Sequence, residues 1–263
     1  MAADGSTASR HRESGEHAVK VEIWSDVVCP WCYIGKRHLE EALTRFSRAD
    51  QVTVEWRSFE LDPGSPVQVG LTMSHILQRK YGMNEDQADA ANARMTELAA
   101  GVGLEYHLDR VQAGNTFDAH RLIHLAATHG RADAMKERLL AAYFTEVRSI
   151  GDPAVLTELA IEVGIDPSEV ATTLHSDAFA SEVRLDESRA TSLGVRGVPF
   201  FVIDGSVSVS GAQPADVLVR ALGRAWSESR PTTLVDDAGE DLMPVPEAPA
   251  PSEASAPQAP SMP

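Results

Sequence analysis

The chain has 263 residues, of which 43% are hydrophobic and 24% charged, a composition typical of a globular protein with a real core. Its 39 acidic and 23 basic residues give a formal net charge of −16, which argues against nucleic acid or an anionic membrane surface as a partner. Residues 1–18 carry no apolar stretch typical of a signal peptide, and no apolar run is long enough to span a bilayer, so we expect a cytoplasmic protein.

The composition changes along the chain and predicts five segments. Segments 1–18 and 231–263 are predicted to be disordered, the latter because it holds eight of the fifteen prolines among alanine, serine and acidic residues. Segments 19–62 and 177–230 contain the predicted strands, whereas segment 63–176 is predicted to be helical. The simplest architecture is therefore one α/β domain interrupted by an all-helical insertion.

The first segment predicts a strand, a helix and a second strand. Apolar and polar residues alternate in Val19–Asp26 and again in Gln51–Leu61, which is the pattern of a strand. Between them, apolar residues at helical spacing predict a helix that begins at Cys29 and ends near Ser47, with Pro30 in its first turn. The crossover is long enough for the two strands to pair in parallel.

Capping residues and prolines mark the predicted helices that follow. Asn84 and Gln87 have the spacing of a capping box. The predicted helices are Leu71–Tyr81, one from Asn84 to Gly101 or Gly103, Phe117–His129 capped by Thr116, Ala132–Arg148, two short ones starting at Asp152-Pro153 and Asp166-Pro167, and one capped by Asp177 that runs to Ser192. The chain then returns to strands at Pro199–Ile203 and Val207–Ser210, joined by a hairpin turn, before a helix that starts at Pro214.

The chain has two cysteines, Cys29 and Cys32, and they are separated by two residues. Close cysteine pairs in the cytoplasm tend to be catalytic, redox-sensing or metal-binding. A structural zinc site normally needs four ligands, and no further cysteine exists, so we expect no metal. An inert pair in the core is the other alternative, and the position between a predicted strand and a predicted helix disfavours it.

A cysteine at a helix N-terminus gains acidity, because unpaired backbone N–H groups and the helix dipole stabilise the thiolate. We therefore expect Cys29 to attack a substrate disulfide and Cys32, one turn further in, to resolve the mixed disulfide. Pro30 and Trp31 shape the turn between them. Val198-Pro199 stands at the head of a predicted strand, and a cis bond there would expose the backbone of Val198 to an extended substrate, although a trans bond is commoner on general grounds.

Four sequence blocks in this order resemble the DsbA-like disulfide oxidoreductases of the thioredoxin superfamily, and most closely their cytoplasmic FrnE-like group. The blocks are Ser25–Lys36 with its C-P-W-C motif, Asn115–His124, Gly194–Phe201 and Ser210–Gln213. The resemblance implies a thioredoxin-like fold with a helical insertion. It also implies a redox-active Cys29/Cys32 pair, a cis Pro199 beside it, and an activity that reduces, forms or isomerises protein disulfides.

The chain departs from the wider superfamily at one position. Thioredoxin-like proteins often carry a buried carboxylate six residues before the first cysteine, and here that residue is Ile23. Asp26 is the nearest acid, and it either transfers protons or simply ends the strand or caps the helix.

Asp118, His120 and His124 share one predicted helix. The two histidines have the spacing of metal ligands but no third ligand, and such residues are more often partly buried and hydrogen-bonded. The family pattern implies that His120 lines the active-site cleft.

Aromatic residues near the cysteines suggest an apolar rim for a substrate. Trp31, predicted to be exposed, Tyr33 and Phe201 are the candidates, although Phe201 could equally belong to the core. The predicted substrate-binding residues are Pro30, Trp31, Val198, Pro199 and His120.

The leading hypothesis is an enzyme of thiol–disulfide exchange that needs no cofactor and acts on disulfide-containing proteins or low-molecular-weight thiols. One alternative is a glutathione-dependent isomerase or transferase of the 2-hydroxychromene-2-carboxylate isomerase or kappa type, which would not need Cys32. Another is a chaperone-like binding protein that uses the cysteines as a redox switch. The direction of electron flow and the oligomeric state stay open.

Overall fold

The structure is a computed structural model, and it describes residues 18–66 and 70–228. The predicted disorder of segments 1–18 and 231–263 lies outside the described residues, apart from Ala18. The described part contains the strands Val19–Ser25 (β1), Val52–Ser58 (β2), Phe200–Ile203 (β3) and Val207–Ser210 (β4). Its helices are Pro30–Arg45 (α1), Met73–Tyr81 (α2), Glu85–Ala100 (α3), Phe117–Thr128 (α4), Ala132–Phe144 (α5), Pro153–Glu162 (α6), Pro167–Leu174 (α7), Ala180–Ser192 (α8) and Ala215–Glu228 (α9).

The four strands form one mixed sheet in the order β2-β1-β3-β4. β1 and β2 are parallel, as predicted, with Val19 opposite Val52. β3 runs antiparallel to β1, with Phe201 opposite Ile23, and pairs with β4 as a hairpin. The α/β fold with helices inserted between β2 and β3 is confirmed.

The central strand β1 divides the core into two faces, because successive side chains of a strand point to opposite sides. Val21 and Ile23 belong to the main apolar cluster, to which α1 and α9 contribute. On the other face, Trp24 lies in a smaller cluster and its indole N–H donates to the carbonyl oxygen of Asp186 in α8 at 2.8 Å. Helices therefore cover both faces of the strand that carries the cysteines at its carboxyl end.

Two predicted helix starts differ from the structure. Asp177 does not cap α8, which begins at Ala180 after Phe179, a residue in the left-handed conformation with φ 61°. Thr116 precedes α4 but its side chain makes no capping hydrogen bond; the side chain of Asn115 instead accepts from the N–H of Phe117 at 2.8 Å.

The remaining helices agree more closely with the sequence patterns. The capping box of Asn84 and Gln87 is confirmed at the start of α3. Helices α4 and α5 pack against each other, and α5 also reaches β2. Among the described helices, none combines the length and the apolar character that a membrane span requires.

Candidate active site

The cysteine pair lies where β1 gives way to α1. Cys29 is the N-cap of α1 in an extended conformation (φ −88°, ψ 115°), and Pro30 follows in the first turn. The N–H of Cys32 donates to the carbonyl oxygen of Cys29 at 3.0 Å. Both cysteines are free thiols, and both are buried. The N-cap position puts Cys29 beside the unpaired N–H groups of the helix, which favour an anion.

The bond between Val198 and Pro199 is cis, and it faces the cysteine pair. The thiol of Cys29 donates to the carbonyl oxygen of Val198 at 3.5 Å, across 169 residues of sequence. The N–H of Gly211 donates to the carbonyl oxygen of Pro199 at 2.8 Å, so the Ser210–Gln213 block holds this segment from behind. These contacts bring together three of the sequence blocks that carry the resemblance, and the fourth, Asn115–His124, reaches the first through His120 and Asp26.

Gly35 is a residue that sequence reasoning missed. It lies in the middle of α1, and a Cβ added there would come within 2.9 Å of Cγ of Pro199. Real Cβ contacts are essentially never that short. Only glycine therefore lets α1 and the cis-proline segment approach this closely, and an isolated glycine inside a helical pattern was the available signal.

Asp26 is fully buried and its carboxylate is enclosed by donors. Oδ1 accepts from the N–H of Val27 at 2.7 Å and faces Nε2 of His120 at 3.3 Å, while Oδ2 accepts from the N–H of Leu61 at 2.7 Å. Burial raises the pKa of Asp26, but the hydrogen bonds and charges of its neighbours, His120 first, lower it by more. Asp26 is therefore an anion that ties the loop before α1 to the segment after β2.

The three polar residues predicted on α4 have three different partners. His120 faces Asp26, and burial lowers the pKa of its imidazole. Nε2 of His124 lies 3.0 Å from the hydroxyl of Ser58, and Asp118 accepts from Arg121 at 2.7 Å. They do not converge, and no cluster of three or more metal-ligating side chains occurs in residues 18–66 and 70–228.

His120 is only 1% exposed. A substrate contact needs accessible surface, so the predicted position of His120 in the substrate-binding cleft is not supported by its burial behind Asp26.

The helices supply a second residue that the sequence analysis missed. Lys136 of α5 is 1% exposed, and its ammonium group donates to the carbonyl oxygen of Ser25 at 3.1 Å. The same group lies 5.5 Å from the ring centroid of Trp56. A buried cation therefore lies next to the end of β1, under the cysteines. A lysine within the apolar stripe of a predicted helix was the signal that could have found it.

The two thiols affect each other's pKa and lose their protons as a pair. Burial raises the pKa of Cys32, yet the hydrogen bond from Cys29 and the charge of Lys136 lower it by more. The hydroxyl of Ser25, which has no other hydrogen-bond partner, also faces Cys32 and lowers its pKa. The hydrogen bond with Cys32 and burial in turn raise the pKa of Cys29 well above its usual value.

The reduced pair therefore loses its first proton at a lower pH than an ordinary thiol does and its second proton at a higher pH. The prediction that the helix N-terminus lowers the pKa of Cys29 differs from this structure, in which the lowered pKa belongs to Cys32 because Lys136 and Ser25 act on it. The two thiols titrate together, so transfer of a proton from Cys29 to Cys32 places the anion on Cys29.

The predicted aromatic rim is wrong for Tyr33, and for Phe201 the alternative of a core residue is confirmed. Tyr33 and Phe201 are buried, at 3% and 1% exposure, and both belong to the main apolar cluster. Trp31 was predicted to be exposed, but it is half-buried against that cluster. Pro30 is also half-buried, and its carbonyl oxygen accepts from the hydroxyl of Tyr106 at 2.8 Å.

Comparison with known proteins agrees with this geometry. A family model described as the DSBA-like thioredoxin domain matches residues 20–223. The crystal structure of a probable DsbA oxidoreductase from Streptomyces coelicolor is 45% identical, has a TM-score of 0.78, and is covered over its whole length by 87% of this chain.

Two further similarities are more distant. The uncharacterised protein YwbO of Bacillus subtilis is 28% identical over 206 residues, which are 78% of this chain and 96% of that protein. A 2-hydroxychromene-2-carboxylate isomerase has a TM-score of 0.60 at 17% identity, over 80% of this chain and 97% of the isomerase. At that identity the likeness shows the fold alone.

Proposed function

The chain belongs to the DSBA-like thioredoxin domain family, and from this premise we propose that it is a thiol–disulfide oxidoreductase whose reactive pair is Cys29 and Cys32. One observation supports the assignment above all. The two free thiols lie together at the N-terminus of α1, and the first of them contacts the carbonyl oxygen of Val198 beside the cis-proline. Cysteines that only fill the core would not have to lie at a helix N-terminus beside a cis-proline.

The reaction proceeds in two exchanges. The thiolate of Cys29 attacks one sulfur of the substrate disulfide, a bond forms between them, and the other substrate sulfur leaves as a thiolate. Cys32 then attacks the sulfur of Cys29, which releases the second substrate thiolate and leaves a disulfide in the protein. Two electrons and the two thiol protons pass from the protein to the substrate, so the protein dithiol becomes a disulfide and the substrate disulfide becomes two thiols.

The substrates that fit this site are disulfides of proteins or of low-molecular-weight thiols. Val198, Pro30 and Trp31 are half-buried and surround Cys29, so each offers some surface to a bound chain. An extended substrate could pair with the backbone of Val198, next to buried Pro199, by adding main-chain hydrogen bonds. We assign His120 to the support of Asp26 and not to substrate contact.

A cytoplasmic setting is part of the proposal. It is supported by the cysteine content, because the chain's two cysteines form the reactive pair and leave none for structural disulfides. In that compartment the reaction would run as reduction or isomerisation, depending on the potential of the pair relative to its surroundings.

The test compares the wild-type protein with Cys29→Ser and Cys32→Ser in reduction of a model protein disulfide and in refolding of a scrambled one. We expect both variants to lose turnover, since both sulfurs are needed for a complete cycle. Cys32→Ser should accumulate a mixed disulfide with the substrate, whereas Cys29→Ser should not, and mass spectrometry separates the two. Undiminished turnover by Cys29→Ser would refute the proposal.

A glutathione-dependent isomerase or transferase is the second candidate, favoured by the fold shared with the 2-hydroxychromene-2-carboxylate isomerase. Such an enzyme activates a bound thiol with one side chain and needs no resolving cysteine. Full turnover by Cys32→Ser, together with isomerisation in the presence of glutathione, would favour this candidate.

A further inference from the structure

The lysine beneath the dithiol is buried without a carboxylate partner. In the described part of the chain, no aspartate or glutamate oxygen lies within 4.0 Å of the ammonium group of Lys136. Its hydrogen-bond acceptor is the neutral carbonyl oxygen of Ser25, and its other close neighbour is the ring of Trp56. A buried cation is expensive unless a negative charge compensates it.

The negative charges that face Lys136 are the sulfurs and one carboxylate. Cys32 has the largest electrostatic effect on the lysine, followed by Asp26 and Cys29, while Lys36 of α1 opposes them. Burial nevertheless outweighs this attraction and lowers the pKa of Lys136 to about 8. Asp26 is present in both redox forms of the protein, but a sulfur anion exists only in the dithiol form.

We propose that Lys136 is a positioning residue that acts through the dithiol: from its place at the end of β1 its charge stabilises the sulfur anion of the reduced pair and shifts the equilibrium of Cys29 and Cys32 toward the dithiol. The inference rests on the proposed function and concerns the same site. As a consequence, the cysteine pair between β1 and α1 is a stronger oxidant with the inserted helix α5 than it would be without it.

The direction of the shift in reduction potential follows from the anions that lie near Lys136 in each redox form. Oxidation joins the two sulfurs, removes two electrons and releases the thiol protons, and the resulting disulfide is neutral. Among the groups that act most strongly on Lys136 in the described residues, Asp26 then remains as an anion, and the stabilisation that the sulfur anion gave is lost. A favourable interaction confined to the reduced form raises the reduction potential of the pair.

The test replaces the lysine by methionine, an unbranched side chain that fills a similar space without charge. For Lys136→Met we expect the midpoint of thiolate formation, followed by absorbance at 240 nm across a pH series, to rise by about one pH unit. In a glutathione redox buffer, the equilibrium constant for oxidation of the pair should increase about tenfold, which corresponds to a potential lower by about 30 mV.

Lys36→Met is the matched control. Lys36 is also a buried lysine, but three carboxylates surround it, so its loss affects stability without removing the cation that faces the sulfurs. We expect its thiolate midpoint and its equilibrium constant to stay close to those of the wild type. If Lys136→Met does not fold, Lys136→Gln, which keeps a donor for Ser25, should show the same two shifts.

The outcomes separate this inference from the proposed function. A wild-type protein that exchanges disulfides, with a midpoint and an equilibrium constant that Lys136→Met or Lys136→Gln leaves unchanged, overturns the role of Lys136 and spares the function. Equal shifts in the Lys36 and Lys136 variants also overturn it. A wild-type protein without exchange activity overturns the function, whatever the titrations show.

Discussion

Two buried lysines, Lys36 on α1 and Lys136 on α5, lie in different surroundings. Lys36 is 3% exposed and contacts three carboxylates, Glu40, Asp133 and Glu137, at distances that include 3.3 Å to Asp133 and 3.0 Å to Glu137. We call this group the Lys36 cluster. Lys136 is 1% exposed and lies with the two thiols, Asp26 and His120 in a group that we call the thiol cluster.

The contrast shows how the same side chain serves two purposes. Burial lowers the pKa of Lys36, but its carboxylates, Glu40 first, raise it by more, so the charge is fully compensated. The pKa of Lys136 is lowered, because burial is not compensated to the same extent. The first charge is satisfied by permanent partners, whereas the second is available to an anion that appears and disappears with the redox state.

Removal of the carboxylate from the thiol cluster should have the largest effect on stability. Asp26→Ala leaves the buried N–H groups of Val27 and Leu61 without their acceptor and takes the fixed anion from Lys136. We expect the free energy of unfolding to fall by about 3–5 kcal/mol, measured by urea denaturation of the reduced protein.

The matched variant is Asp133→Ala in the Lys36 cluster. The side chain of Asp133 is 64% exposed, so Lys36 keeps two other carboxylates and water replaces the lost one. The expected loss is about 1 kcal/mol or less. Equal losses of unfolding free energy in Asp26→Ala and Asp133→Ala would contradict the difference in burial and charge compensation between the two clusters.

Gly35 lies in α1 against Pro199, so a substitution there disturbs the cis-proline segment beside the thiol cluster. Gly35→Ala drives a methyl group against Pro199, so we expect a loss of stability of about 1–3 kcal/mol and slower disulfide exchange, because the cis-proline segment must move away from Cys29. Denaturation and a stopped-flow exchange assay measure the two effects.

Gly223→Ala is the control for that substitution, since Gly223 lies in α9 and a Cβ there meets nothing within 4 Å. Alanine favours a helix over glycine, so this variant should gain up to about 1 kcal/mol and exchange disulfides at the wild-type rate. Wild-type stability and exchange rate in Gly35→Ala would mean that the cis-proline segment can move away from the added methyl group without affecting either property.

The smallest effect is expected from Glu137→Gln, and it depends on pH. Burial raises the pKa of Glu137, but hydrogen bonds from Arg37 and Tyr33 and the charge of Lys36 lower it by more. Such a carboxylate stabilises the fold above its unfolded pKa of about 4.3, and this contribution is lost as the pH falls through the lower folded pKa.

At pH 7 the variant should therefore be less stable by about 1 kcal/mol or less, because Glu137 is partly exposed. The difference should vanish in acid, where the wild type loses the contribution as well. Denaturation curves at a series of pH values measure this, and a difference that stays unchanged from pH 7 to the most acidic pH of the series would contradict it.

Local patterns were sufficient to predict the elements around the cysteines. Alternation in β1, apolar spacing in α1 and the capping box of Asn84 are encoded within a few residues, and the structure has all three. The start of α8 was not predictable in this way, because Phe179 adopts φ 61°, a conformation that only its surroundings can impose on an aromatic residue.

The thiol cluster was predictable only in part, because its members come from distant parts of the chain. Cys29, Cys32 and the cis bond at Pro199 follow from motifs and the resemblance. Lys136 reaches Ser25 across 111 residues, and His120 reaches Asp26 across 94, so neither contact has a local signature. Pairings of this kind depend on how the helices pack.

The contact between Cys29 and Val198 also has a consequence for the newly made chain. Ribosomes add about 5–20 residues per second, so the 169 residues between the two partners take on the order of ten seconds or more to synthesise. During this interval Cys29 and Cys32 have been synthesised, but the rest of their site does not yet exist. Because the chain has no other cysteine, the one intramolecular disulfide that can form early is the same bond that the finished protein makes and breaks.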